Sequence, residues 1–113
     1  MALGGLADFT LQTSISGGAG IVSGGANVIP KLVVKVWDLW CEGKIEEAMK
    51  LQDVLSRGNW LLGRPGVPGT KAALQRFSGH GGFARRPLKR FGESGIKRLA
   101  EDLEEIIKVE NGL

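Results

Sequence analysis

Hydrophobic positions fall in periodic runs separated by glycine clusters, and this alternation predicts the elements. Over 6–16, apolar Leu6, Phe9, Leu11 and Ile15 fit a short helix that Gly17 and Gly18 end. The next stretch, 19–23 (AGIVS), is short, apolar and β-branched between glycines, as a buried strand would be. Asn27 and Pro30 then open a helix. Its Lys31, Lys35, Asp38 and Glu42 share one face, while Leu32, Val33, Val36, Trp37, Leu39 and Trp40 cover most of the remainder. So wide an apolar arc predicts burial on two sides.

Gly43 stops that helix, and Lys44 begins an amphipathic one with Ile45, Ala48, Met49, Gln52 and Leu55 on one stripe, so the two should form a hairpin. Segment 59–69, NWLLGRPGVPG, reads as a connection punctuated by Pro and Gly, after which Thr70 caps a helix reaching about Phe77. The GHGG turn ends it. Over 94–110, Ile96, Leu99, Ala100, Leu103, Ile106 and Ile107 form one face, opposite Lys97/Glu101 and Glu104/Lys108 pairs. The inventory is several helices and a single strand. One strand makes no sheet, so 19–23 is expected to pair with strands outside this chain, including those of another copy.

Composition narrows the classes. At 113 residues with 42% hydrophobic and 24% charged residues, the chain reads as one soluble globular unit with a modest core. A net charge of +3 is mild for a nucleic-acid binder, and the basic residues between Arg85 and Arg98 are followed directly by Glu101, Asp102, Glu104 and Glu105, the pattern of a solvated face. No nucleic-acid partner is expected. The uncharged stretch 9–30 is too rich in glycine and hydroxyl residues for a membrane span, and no secretory or transit pattern opens the chain. A single cysteine fits a reducing compartment, so a cytoplasmic location is expected, a mitochondrial one being compatible with a full-length parent.

Candidate chemistry is sparse. Gly79-His-Gly81-Gly-Phe-Ala84 matches GxGxxA, but a helical pattern precedes it where a dinucleotide fold requires a strand, so it reads as a turn. His80 is the only histidine and Cys41 the only cysteine, which leaves no metal set and no triad. Cys41 is expected to be a buried, inert thiol, and Trp37, Trp40 and Trp60 to serve packing. No lysine sits in a plainly apolar strand, the setting that lowers an amine's pKa for imine chemistry.

Several motifs together carry a resemblance. The run GGAGIVSGGANVIPKL, followed by WDLWCEGKIEEAMKLQ, resembles the final strand, loop and following helices of the dihydrodipicolinate synthase / N-acetylneuraminate lyase family, whose strand reads G-G-x-G-[VI]-[IV]-S-x-x-[AS]-N-V. Downstream, PGVPGTKAALQRF and GHGGFARRPL are similar to the matching stretch of its 4-hydroxy-2-oxoglutarate aldolase branch. The resemblance implies an α/β fold: the C-terminal part of a (β/α)8 TIM barrel, from the end of the seventh strand at Leu3-Gly4-Gly5 onward, in a chain that is itself mainly helical. It implies one partial domain, with 1–43 as the last helix-strand-helix unit and 44–113 as the C-terminal helical region.

In that family, class I aldolases and lyases make or break a C–C bond to pyruvate or another 2-oxo acid through a lysine Schiff base on the sixth strand, with a tyrosine on the fifth relaying protons. By this resemblance the lysine lies upstream of Met1, and the chain has no tyrosine. Typical barrels of this type need about 250 residues. The chain is therefore expected to be a C-terminal fragment, a truncated gene model or splice product being the simplest origin, with no catalytic residue, cofactor or metal of its own. Two pocket-wall positions carry over: Gly5, matching the glycine that ends the seventh strand, and Val22, matching the aliphatic position on the eighth. The expected partners are the 2-oxo acid of the full-length enzyme and a second copy or full-length homologue. The alternative is a non-catalytic helical interaction or oligomerisation module.

Overall fold

The computed structural model describes residues 1–113. Strand β1 (Gly4–Gly5) leads through a 3-10 turn, Ala7–Phe9, into helix α1 (Thr10–Ile15). Strand β2 (Ile21–Val22) and a second 3-10 turn, Gly25–Asn27, precede α2 (Pro30–Cys41), α3 (Ile45–Gly63), α4 (Gly66–Ser78) and α5 (Glu93–Gly112). The chain is thus mainly helical with one small sheet.

That sheet corrects the first expectation. The strand over 19–23 does find a partner within the chain: β1 and β2 run parallel, with Gly4 opposite Ile21 and Gly5 opposite Val22. Gly4 N donates to Gly20 O at 2.9 Å and Leu6 N to Val22 O at 3.2 Å, with Ala19 N reaching back to Ala2 O at 2.8 Å. Gly4 and Gly5 carry no side-chain alternation, so periodicity had nothing to detect. Gly4 is also demanded by packing, since a Cβ there would run into Thr13 of α1.

The core lies where α2, α3 and α5 meet, around Ile29, Leu32, Val36, Leu55, Leu62 and Leu103. Helix α3 does not stop near Asn59 but continues to Gly63, because its buried stripe runs on through Gln52, Leu55, Asn59 and Leu62. Gly58 lets neighbours close in: a Cβ would lie 2.8 Å from Ile106 Cγ2 and 3.0 Å from Ile29 Cδ1. Helix α4 begins at Gly66 rather than Thr70, since Pro68 falls in the first turn, where no intrahelical N–H is needed. Thr70 Oγ1 instead donates back to Leu62 O at 3.5 Å. Of the two surface pairs expected on α5, Glu104 and Lys108 meet at 3.1 Å, while Lys97 and Glu101 stay apart.

Candidate pocket wall at the strand ends

Gly5 and Val22, the two positions taken as pocket wall, are brought side by side as Cα partners in the sheet. Val22 is not buried as an isolated strand reading would have it: it is 67% exposed, and Gly5 is exposed too. In a two-stranded sheet each strand keeps one unpaired edge, and no other strand of this chain covers either. Leu6, directly after Gly5, has φ 63°, a backbone region that a leucine adopts only against steric cost. Beside β1 an open hollow of about 390 Å³ is lined by Leu3, Gly5, Phe9 and Gln12 together with Thr13 and Gly18.

Buried polar side chains hold this end of the molecule. Ser23 Oγ, at the end of β2, accepts from Ala7 N at 3.0 Å and Gly25 N at 3.2 Å and donates to Asn59 Oδ1 of α3 at 3.2 Å. Gln52, also on α3, accepts from Leu11 N at 2.9 Å through Oε1, and its Nε2 donates to Ala7 O and Asp8 O at 3.1 and 3.0 Å. The strand ends are therefore fixed to α3 by two side chains. Sequence reasoning placed Gln52 on the apolar stripe of α3, where its polarity was the available signal. Asn59 opens the segment that the sequence presents as a connection, so nothing local marks its buried place in α3.

The remaining candidates do not gather into a reactive set. Cys41 is exposed at the end of α2, contrary to the buried thiol expected, because the stripe Leu32, Val36 and Leu39 turns it outward. Trp40 packs against the core, whereas Trp60 is 63% exposed. His80 is exposed after the left-handed C-cap Gly79, so GHGG is a turn that follows a helix. Two groups titrate away from their ordinary values. The Glu42 carboxyl is held low by its hydrogen bond to Lys44, 2.7 Å away, and by the lysine's charge, and the Lys44 ammonium is held high by the same pair. No helix is long and apolar enough to cross a membrane.

Comparison with known proteins agrees with this geometry. Residues 1–106 match the dihydrodipicolinate synthetase family. Over 113 residues the chain is 52% identical to an L-threo-3-deoxy-hexylosonate aldolase of Hypocrea jecorina, covering all of this chain and 36% of that protein. It is 49% identical over its full length to the enzyme of the same name from Aspergillus niger, covering 34% of it. Among solved structures, a variant of the 2-keto-3-deoxygluconate aldolase of Sulfolobus solfataricus superposes with a TM-score of 0.84 at 24% identity, over 94% of this chain and 37% of that one. The chain thus spans a little over one third of the length of the relatives it matches. Its fold is that of the corresponding part of a TIM barrel.

Proposed function

The chain belongs to the dihydrodipicolinate synthetase family, and on that premise we propose that it supplies the closing strands and C-terminal helices of a class I aldolase barrel acting on pyruvate or a related 2-oxo acid. Alone it does no aldol chemistry. The observation that carries this reading is the parallel pairing of β1 with β2, which sets Gly5 opposite Val22 in a sheet whose two outer edges are open. In a closed barrel those edges receive neighbouring strands, and Gly5 and Val22 become wall beside the reacting carbon.

Imine chemistry needs a neutral amine held away from water and a group that relays protons. Condensation joins the lysine nitrogen to the 2-oxo carbon with loss of water, and the protonated imine then withdraws electrons from the C–C bond being cleaved. Neither strand of this chain bears a lysine, and the chain has no tyrosine. Lys44, whose titration is displaced, is displaced upward, away from what a nucleophilic amine requires. On this reading 1–43 form the last barrel unit and 44–113 form the helical region.

The test is trapping with pyruvate and borohydride followed by intact mass. The 113-residue chain alone should stay unlabelled. Mixed with a polypeptide carrying the first six strand-helix units of the Hypocrea jecorina relative, it should restore a reduced adduct on that polypeptide. A reduced adduct on a lysine of the isolated chain would overturn the proposal, and so would a mixture that never labels while the intact relative does. A second reading, a non-catalytic interaction module, is favoured by the exposure of Leu3, Leu6, Phe9 and Val22 around the sheet.

A further inference from the structure

We propose that a cleft between α4, the segment 79–92 and α5 binds a small carboxylate with an apolar body. Its volume is about 470 Å³, and its walls include Pro68 and Ala72 of α4, Phe83 and Phe91 of the segment, and Ile96 of α5. Arg76 is the one charged side chain that lines it. Clefts that take small organic ligands span about 300–1,000 Å³ and pair mostly apolar walls with a few convergent polar groups.

The two ends of the wall formed by 79–92 are held against α4 and α5. Gly79, in the left-handed conformation at φ 74°, ends α4 and turns the chain back. Gly81, at φ 140°, lies so close to α4 that a Cβ there would collide with Lys71 O and sit 3.1 Å from Leu74 Cβ. Gly82 N donates to Gln75 Oε1 of α4 at 3.2 Å. On the far side, Phe91 packs onto the core and against Gly95, where a Cβ would lie 3.0 Å from Phe91 Cζ. These contacts absorb the GHGG motif: Gly81 is needed for close approach, while Gly79 and Gly82 supply positive φ with open space around them.

Charge selects the ligand's head. Segment 79–92 contains Arg85, Arg86, Lys89 and Arg90 but no aspartate or glutamate. None of these groups, nor Arg76, lies within 4 Å of a carboxylate, since the ion pairs formed are Lys44 with Glu42 and Lys108 with Glu104. Arg90 stacks its guanidinium over the Phe83 ring at 4.0 Å, which keeps a cation against the cleft's wall. Glu93, Glu101 and Glu104 line a neighbouring depression that shares Arg76 with the cleft. Arg76 is exposed and lies over the Phe77 ring at 5.9 Å, with no carboxylate paired to it. A ligand carboxylate accepts from its guanidinium while the apolar body covers the Phe83 and Phe91 rings, a gain a neutral ligand lacks.

Titrating the 113-residue chain with octanoate, and separately with octanol, while following amide and methyl shifts by NMR, tests this directly. Shifts should concentrate at Ala72, Phe83, Phe91 and Ile96, with octanoate bound roughly 10-fold more tightly than octanol, the worth of a hydrogen bond to a charged group. Arg76→Gln should abolish that preference and leave octanol binding unchanged. Gly81→Ala, which displaces the wall, should weaken both probes at unaltered helix content. Equal affinity for octanoate and octanol in the unmodified chain, or shifts centred on β1 and β2 instead, would overturn the proposal.

Discussion

Glu110 joins two ends of the molecule through a single carboxylate. Its Oε1 accepts from Lys31 N at 2.9 Å and its Oε2 from Leu32 N at 2.7 Å, so a residue of α5 satisfies first-turn donors of α2, where Pro30 already lacks an N–H. A helix N-terminus favours negative charge, and here the charge is only 6% exposed, which strengthens the bond. Removing the side chain strands two backbone donors. Glu110→Ala is therefore expected to cost about 2 kcal/mol, read as a lower denaturant midpoint at unchanged slope. An exposed glutamate such as Glu105 changed to alanine should cost no more than about 0.5 kcal/mol. In the sequence Glu110 is merely a polar residue at the end of a helix. Nothing local marks it, because its partners are 78 and 79 positions away.

At the scale of elements, legibility follows the side chains. Helices α2 and α5 were readable from their apolar spacing, and so was the start of α3, since a stripe repeated every three or four residues needs no knowledge of its partner. The end of α3 and the start of α4 were not. Gly58-Asn59 and the Pro/Gly-rich stretch signal a break by propensity, yet both Gly58 and Asn59 are buried in the helix. Tertiary contact overrode propensity: Gly58 admits Ile29 and Ile106, and Asn59 bonds to Ser23. This makes Gly58→Ala a test of sign. Helix propensity alone favours alanine by about 1 kcal/mol, while forcing a methyl into a packed site costs about 1–3 kcal/mol. With Ile106 Cγ2 only 2.8 Å from the added Cβ, packing should win. Thermal unfolding should show a lower Tm for Gly58→Ala, whereas Gly63→Ala, with open space around its Cβ, should not lower it.

For the whole molecule, the open sheet dominates. Only 23 of 113 residues are buried, and the radius of gyration is 14.4 Å, against about 13 Å for a closed domain of roughly this length. Leu3, Leu6, Phe9 and Val22 are each at least half exposed around two strand edges that this chain leaves unpaired. Such edges template association. Gly5 and Val22 are marked as strand positions only by the family resemblance, and their pairing is not legible in the pattern because a strand of two glycines carries no side-chain alternation. In isolation the chain should therefore self-associate, its average mass in sedimentation equilibrium rising with concentration. Adding the six-unit polypeptide should convert it to a one-to-one complex, since pairing both edges within a barrel removes more apolar surface than stacking copies. Val22→Lys puts a charge on the sheet face that barrel closure or association buries and should weaken both assemblies, leaving helix content unchanged because Val22 is 67% exposed. A chain that stays monomeric at all concentrations and ignores the six-unit polypeptide would show that these edges are not a barrel seam.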